Sequence, residues 1–194
     1  PVVSSSGNTT ICNGQYTNIS VSGGTTYTWN VDGVGPSSRT VSPSVNTTYI
    51  VTVEKNGCTA TTSIAVTVIP IPVVKAADDK YICQGDNVTI CALGADDYVW
   101  NTGHATACIN VSPSANTTYT VIGSRNGCTA SDEVVVNVNP IPVAKITASK
   151  TNICAGSTVE LVASGGDNYS WSYNDLLLQK IQVSPTESTV YTVT

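Results

Sequence analysis

The sequence predicts an all-β chain built from tandem, two-sheet antiparallel sandwiches of about six or seven short strands each. Three observations predict this: a composition rich in Thr, Val and Ser, self-similarity about every seventy residues, and period-two alternation inside each copy. β-Branched side chains are stiff at χ1 and fit a pleated surface better than a helix. Hydrophobic residues make up 41% of the 194 positions, enough to build cores and too many for a disordered chain.

The repeat is the clearest feature. Ile11-Cys12, Ile82-Cys83 and Ile153-Cys154 are spaced 71 residues apart, and Trp29, Trp100 and Trp171 keep the same interval. Val41-Ser42-Pro43, Val111-Ser112-Pro113 and Val183-Ser184-Pro185 recur with nearly the same spacing. Asn56-Gly57-Cys58-Thr59-Ala60 returns as Asn126-Gly127-Cys128-Thr129-Ala130. Such a period marks a repeat array, and each copy is long enough to be a small domain. The expected boundaries are 1–70, 71–140 and 141–194. Ile69-Pro70-Ile71-Pro72 and Asn139-Pro140-Ile141-Pro142 form the joints, where proline fixes φ and extends the residue before it. The third copy ends at Tyr191-Thr192-Val193-Thr194, before an Asn-Gly-Cys turn, so it reads as cut inside a domain and Cys154 as unpaired by truncation.

Within a copy, the elements follow in order. Thr17/Ile19/Val21 alternate with polar neighbours, as do Val88/Ile90/Ala92 and Val159/Leu161/Ala163, which predicts a strand with one buried face. The next strand carries Tyr27-Thr28-Trp29, Tyr98-Val99-Trp100 or Tyr169-Ser170-Trp171. Another ends at Val41, Val111 or Val183. A longer strand begins around Tyr49, Tyr119 or Tyr191. Asn-Gly then predicts a two-residue hairpin, since both central positions require φ > 0. The strand from Cys58 to Val68 closes the copy, and a two-sheet sandwich packs this set.

Seven cysteines in a β-rich chain indicate an oxidising compartment. An up-and-down path returns Cys12 and Cys58 to one end, so the expected bridges are Cys12–Cys58 and Cys83–Cys128. Cys91 lies opposite in parity to Val88, Ile90 and Ala92, and Cys108 opposite to Ile109 and Val111. Both face outward on strands that can pair, so Cys91–Cys108 is expected as a second bridge of the middle copy. A tetrathiolate zinc site would need closer spacing, such as Cys-x-x-Cys.

The aromatic residues read as structure. Each Trp occupies the place of the buried tryptophan in the core of an immunoglobulin-like (Ig-like) sandwich, and a sugar-stacking platform is the competing reading. Tyr49, Tyr119 and Tyr191 are expected to be structural, in the position of a tyrosine corner. His104 is the only histidine and sits in a turn. A single histidine leaves no Ser-His-Asp triad or multi-histidine metal site, so no catalytic residue, metal or cofactor is expected. Asp78-Asp79 has no counterpart in the other copies, which argues against a calcium site common to the repeats. Leu176-Leu177-Leu178 is also unique to its copy and is expected to cover the end of a sheet or a neighbouring domain, with an exposed contact patch as the competing reading. Several Asn-x-Ser/Thr sequons occur, among them Asn46, Asn116 and Asn168. A net charge of −5 with two Arg and six Lys speaks against nucleic-acid binding, and no apolar run is long enough for membrane insertion as a helix.

Tyr-x-Trp, then Val-Ser-Pro with a following Thr-Thr-Tyr-x-Val in the first two copies, then Asn-Gly-Cys-Thr-Ala together resemble the Ig-like or PKD-like tandem repeats of very large secreted Bacteroidetes surface proteins. That group includes the gliding-motility adhesins exported by the type IX pathway. The resemblance covers all three copies, the last in part, and the extra cysteine pair of the second departs from it. It implies a secreted, non-enzymatic stalk or filament segment at the cell surface. Its partners would be neighbouring Ig-like repeats, other copies in a filament, or a surface glycan or protein ligand. A carbohydrate-binding accessory module of a secreted enzyme is the alternative.

Overall fold

A computed structural model describes residues 1–7 and 9–194. Every regular element among them is a strand. The chain divides into two compact units, Pro1–Val138 and Asn139–Thr194. The first holds two separate hydrophobic cores and the second holds one.

In the first repeat, β1 (Ser4–Gly7), β3 (Thr17–Ser22) and β6 (Ser38–Val41) form one sheet with β3 in the centre. The facing sheet runs β2 (Thr10–Cys12), β8 (Cys58–Ile69), β7 (Thr47–Lys55), β4 (Thr26–Trp29), β5 (Gly33–Gly35). Alternation sets the register. Thr17, Ile19 and Val21 are buried, and Val51, Val53, Ile64 and Val66 meet them from the other sheet in one core with Trp29 and Tyr49. Burying one such aliphatic side chain contributes roughly 1.5–3 kcal/mol. The strands opening the repeat are divided between the sheets. β1 pairs antiparallel with β3, whereas β2 pairs parallel with β8.

The second repeat repeats the plan. One sheet is β13 (Cys108–Val111), β11 (Val88–Leu93), β9 (Lys75–Ala76). The other is β10 (Lys80–Cys83), β15 (Cys128–Asn139), β14 (Thr117–Arg125), β12 (Asp97–Trp100). The described strands thus number eight in the first repeat and seven in the second, because only the first has a short strand after its tryptophan. Both hairpins are the expected two-residue turns. Lys55 pairs with Cys58 around Asn56 (φ 53°) and Gly57 (φ 75°), and Arg125 pairs with Cys128 around Asn126 (φ 50°) and Gly127 (φ 82°).

In the second compact unit, β16 (Lys145–Ala148), β17 (Val159–Ser164) and β18 (Lys180–Val183) form an antiparallel sheet. Its core packs Leu161, Ala163, Trp171, Ile181 and Val183. Trp171 also forms a single β-bridge with Val193.

Candidate functional site

The cysteines define the site, and the parallel edge strand decides how they pair. Cys12 lies opposite Ile69, at the C-terminal end of β8, and Asn13 N donates to Ile69 O at 2.8 Å. Cys58 begins the same twelve-residue strand. At ~3.3 Å per residue the two ends of β8 lie roughly 35 Å apart, whereas a disulfide needs Cα atoms within about 7 Å. The expected Cys12–Cys58 bridge is therefore incorrect, because the cysteines occupy opposite poles of one sandwich. The expected Cys83–Cys128 bridge fails likewise. β10 lies beside β15, and Asn137 Nδ2 donates to Lys80 O, so Cys83 belongs to the far end of β15 from Cys128. Side-chain parity agrees with this placement. Ile11 and Ile82 point into the cores, so Cys12 and Cys83, one residue on, face away from them.

The structure joins Cys12 to Cys128 instead, with Cα atoms 5.7 Å apart and a sequence separation of 116. The bridge spans the joint between the first two repeats. It brings the Asn126-Gly127 turn of the second to the pole of the first, where Gly127 O lies 4.0 Å from Cys12 Sγ and Ile69 O lies 4.0 Å from Cys128 Sγ. The same pole leads into Pro70-Ile71-Pro72, whose prolines remove two backbone donors and fix φ. Beyond the prolines, the chain is seated against the second repeat. A Cβ built on Gly94 (φ 97°) would fall 1.8 Å from Val73 O, so only glycine admits that approach. Ala76 N then donates to Asp132 Oδ2 at 2.8 Å. This bond, with a second from the Glu133 amide, holds the Asp132 carboxyl below the usual carboxylate range. Linker, hairpin and disulfide together fasten the two repeats at two points.

Cys91 and Cys108 are directly opposed on β11 and β13 and are bonded to each other. Cys58, Cys83 and Cys154 are free and exposed. No cluster of three or more His, Cys, Asp or Glu suited to a metal occurs among the described residues. Asp79 Oδ1 accepts the Val135 amide at 2.9 Å, which commits one of the two adjacent aspartates to the sheet.

The aromatic positions differ in burial. Trp29, Trp100 and Trp171 are each 1% exposed, so none offers a face for sugar stacking. Their indole N–H groups donate to Pro36 O, Thr106 O and Leu178 O at 2.7–2.9 Å. The carbonyl for Trp171 thus comes from the leucine segment, whose Leu177 and Leu178 side chains remain exposed. Tyr49 and Tyr119 are buried, and burial pushes their phenols up. Tyr191 is half-buried, edge-on to Tyr173. Among the described residues the local tyrosine hydroxyl bond is made elsewhere. Tyr27, Tyr98 and Tyr169 each donate to the carbonyl three residues earlier. His104 is exposed and bonded to Thr102 in its turn. Asn46 and Asn116 each accept a strand amide, Val68 N and Val138 N, at 2.7 and 2.8 Å.

No family model matches the chain, and no curated protein matches it. Among solved structures it is similar to the three-Ig titin segment I67–I69, at 13% identity over 95% of this chain and 88% of that one, with a TM-score of 0.48. It is also similar to three N-terminal domains of the outer capsid protein Hoc of bacteriophage RB49, at 18% identity over 92% and 79%, with a TM-score of 0.40. The N-terminal eight Ig domains of Down syndrome cell adhesion molecule match at 16% identity over 96% of this chain, with a TM-score of 0.34, and the chain spans 36% of their length.

Proposed function

We propose that the chain is a structural or adhesive repeat segment, a stalk or filament piece of a large extracellular or cell-surface protein, organised as repeats over 1–70, 71–140 and 141–194. It has no enzymatic role in this reading, and its partners are other Ig-like repeats. The Tyr-x-Trp, Val-Ser-Pro and Asn-Gly-Cys-Thr-Ala strings support the finer assignment to the secreted Bacteroidetes adhesin type. Two disulfides support an oxidising, extracellular location.

The observation that carries the reading is the bridge across the joint. Tension applied at the two ends of the chain travels from β2 through the Cys12–Cys128 bond directly into β15. Residues 13–127 lie outside that path, so pulling cannot draw them out while the bond holds. A spacer under load gains from this: strands β3 to β14 of the two sandwiches are shielded by one covalent bond, and the Pro70-Ile71-Pro72 joint bears no load.

Force spectroscopy on the full chain, held by its two termini, tests the proposal. Under oxidising conditions residues 13–127, enclosed by a bond of sequence separation 116, stay hidden. Reduction is expected to release roughly 400 Å of additional contour length, at ~3.3–3.6 Å per residue. Equal extension before and after reduction would remove the mechanical reading.

A further inference from the structure

Outside the Cys91–Cys108 pair, the other five cysteines fall into two kinds with two local geometries. Cys12, Cys83 and Cys154 each follow isoleucine and open the same turn. Gln15 N, Asp86 N and Ser157 N donate back to their carbonyls at 2.9, 3.0 and 3.0 Å, across glycines with φ of 81°, 95° and 75°. These are pole cysteines. Cys58 and Cys128 each close an Asn-Gly turn with matching φ values and the same pairing across the hairpin. These are hairpin cysteines, and Thr-Ala follows both. The inter-repeat bridge joins the pole cysteine of the first repeat to the hairpin cysteine of the second. Left over are one hairpin cysteine, Cys58, and two pole cysteines, Cys83 and Cys154, all exposed. Cys128, covered by the pole of the preceding repeat, is 1% exposed, so Cys58 presents the same turn with its cover removed.

We propose that Cys58 is the receiving half of a second inter-repeat disulfide, taking the pole cysteine of another Ig-like repeat of this type as Cys128 takes Cys12. Cys83 and Cys154 are the matching donor halves for further Asn-Gly-Cys hairpins. The rule is an offset of one: each repeat is bonded to the next through its pole and to the previous through its hairpin. This deepens the spacer reading, on which it rests, by naming the partner and the bond. Formation consumes an oxidised dithiol carrier. One protein thiolate attacks the carrier disulfide and releases a carrier thiolate. The second protein thiolate attacks the protein sulfur of the mixed disulfide and releases the other. Two protons and two electrons pass from the two protein thiols to the carrier, which leaves as a dithiol.

Two arms of one experiment distinguish a partner repeat in the same polypeptide from a second copy. In the first, a further copy of residues 1–70 is placed ahead of Pro1 of the full chain, which is oxidised in a glutathione redox buffer, digested without reduction and mapped by mass. The pole cysteine of the added repeat is expected on Cys58, with loss of Cys58 alkylation. In the second, the unextended chain is oxidised at rising concentration. Links from Cys58 of one copy to Cys154 or Cys83 of another support a second-copy partner, and C58S then abolishes them. Single chains in this arm with a bonded Cys58 in the first support a partner in the same polypeptide. Cys58 open to alkylation in both arms, joined to another Cys58, or joined to the pole cysteine of its own repeat would overturn the proposal. The Cys12–Cys128 peptide in the same digests reports that the repeats are folded, and the mapping is independent of the extension measurement.

Discussion

Trp100 shows what single residues contribute. Its ring fills the centre of the second core, and its indole N–H satisfies the Thr106 carbonyl at 2.9 Å. Trp100→Ala should cost about 3–5 kcal/mol of that repeat's stability, as for other large aromatic truncations. Trp100→Phe keeps most of the packing but strands the carbonyl, for a loss of about 1–3 kcal/mol. Urea unfolding followed by circular dichroism ranks the two. Asp132 makes a pH prediction. Hydrogen bonds from the Ala76 and Glu133 amides lower its folded-state pKa below the unfolded value. Its contribution is therefore complete above about pH 4, the unfolded carboxylate value, and is lost as pH falls through the lower folded one. Asp132→Asn retains an acceptor for Ala76 N–H but carries no titration. Its melting temperature should fall less between pH 5 and 2 than that of the parent chain, and equal slopes would show the carboxylate contributes nothing.

At the scale of elements, the way the chain enters each sandwich is the sensitive point. Gly23, Gly94 and Gly165 recur at the same place in the three repeats, and each receives a valine carbonyl from the segment leading in. Gly94→Ala combines a left-handed φ with a backbone collision, whereas Gly103 has a similar φ and open space around it. Gly103→Ala should therefore cost only the ~1–2 kcal/mol of the conformation itself, and Gly94→Ala clearly more, read as the difference in thermal midpoints. The elements were largely legible in the sequence because their signals are local. Period-two alternation marked β3, β11 and β17, Asn-Gly marked both hairpins, and opposite parity placed Cys91 and Cys108 on one outer face. The partner of Cys12 was not legible in the same way. β2 is a three-residue edge strand, and nothing within it specifies parallel pairing to a strand some fifty residues later. Counting strands as strictly up-and-down put Cys12 at the wrong pole, although the inward Ile11 beside it already implied an outward thiol.

For the whole molecule, the two bridges differ in what they constrain. Cys91–Cys108 closes 17 residues within one sheet, while Cys12–Cys128 closes 116 across two sandwiches. In the chain-entropy account the short loop stabilises by about 3 kcal/mol and the long one by about 5. The long bridge acts on both cores of the first unit, because neither repeat can unfold without gaining a tethered loop that ends on the other. Replacing Cys12 and Cys128 together by serine should therefore lower the urea midpoints of both repeats and separate their transitions. Replacing Cys91 and Cys108 together should lower that of the second repeat alone. Tryptophan-to-phenylalanine variants of each repeat assign the transitions, since every repeat holds one tryptophan. If the double serine variant at 12 and 128 left the first repeat's midpoint unchanged, the bridge would be a passive link, and shielding under load would have to come from the sandwiches themselves.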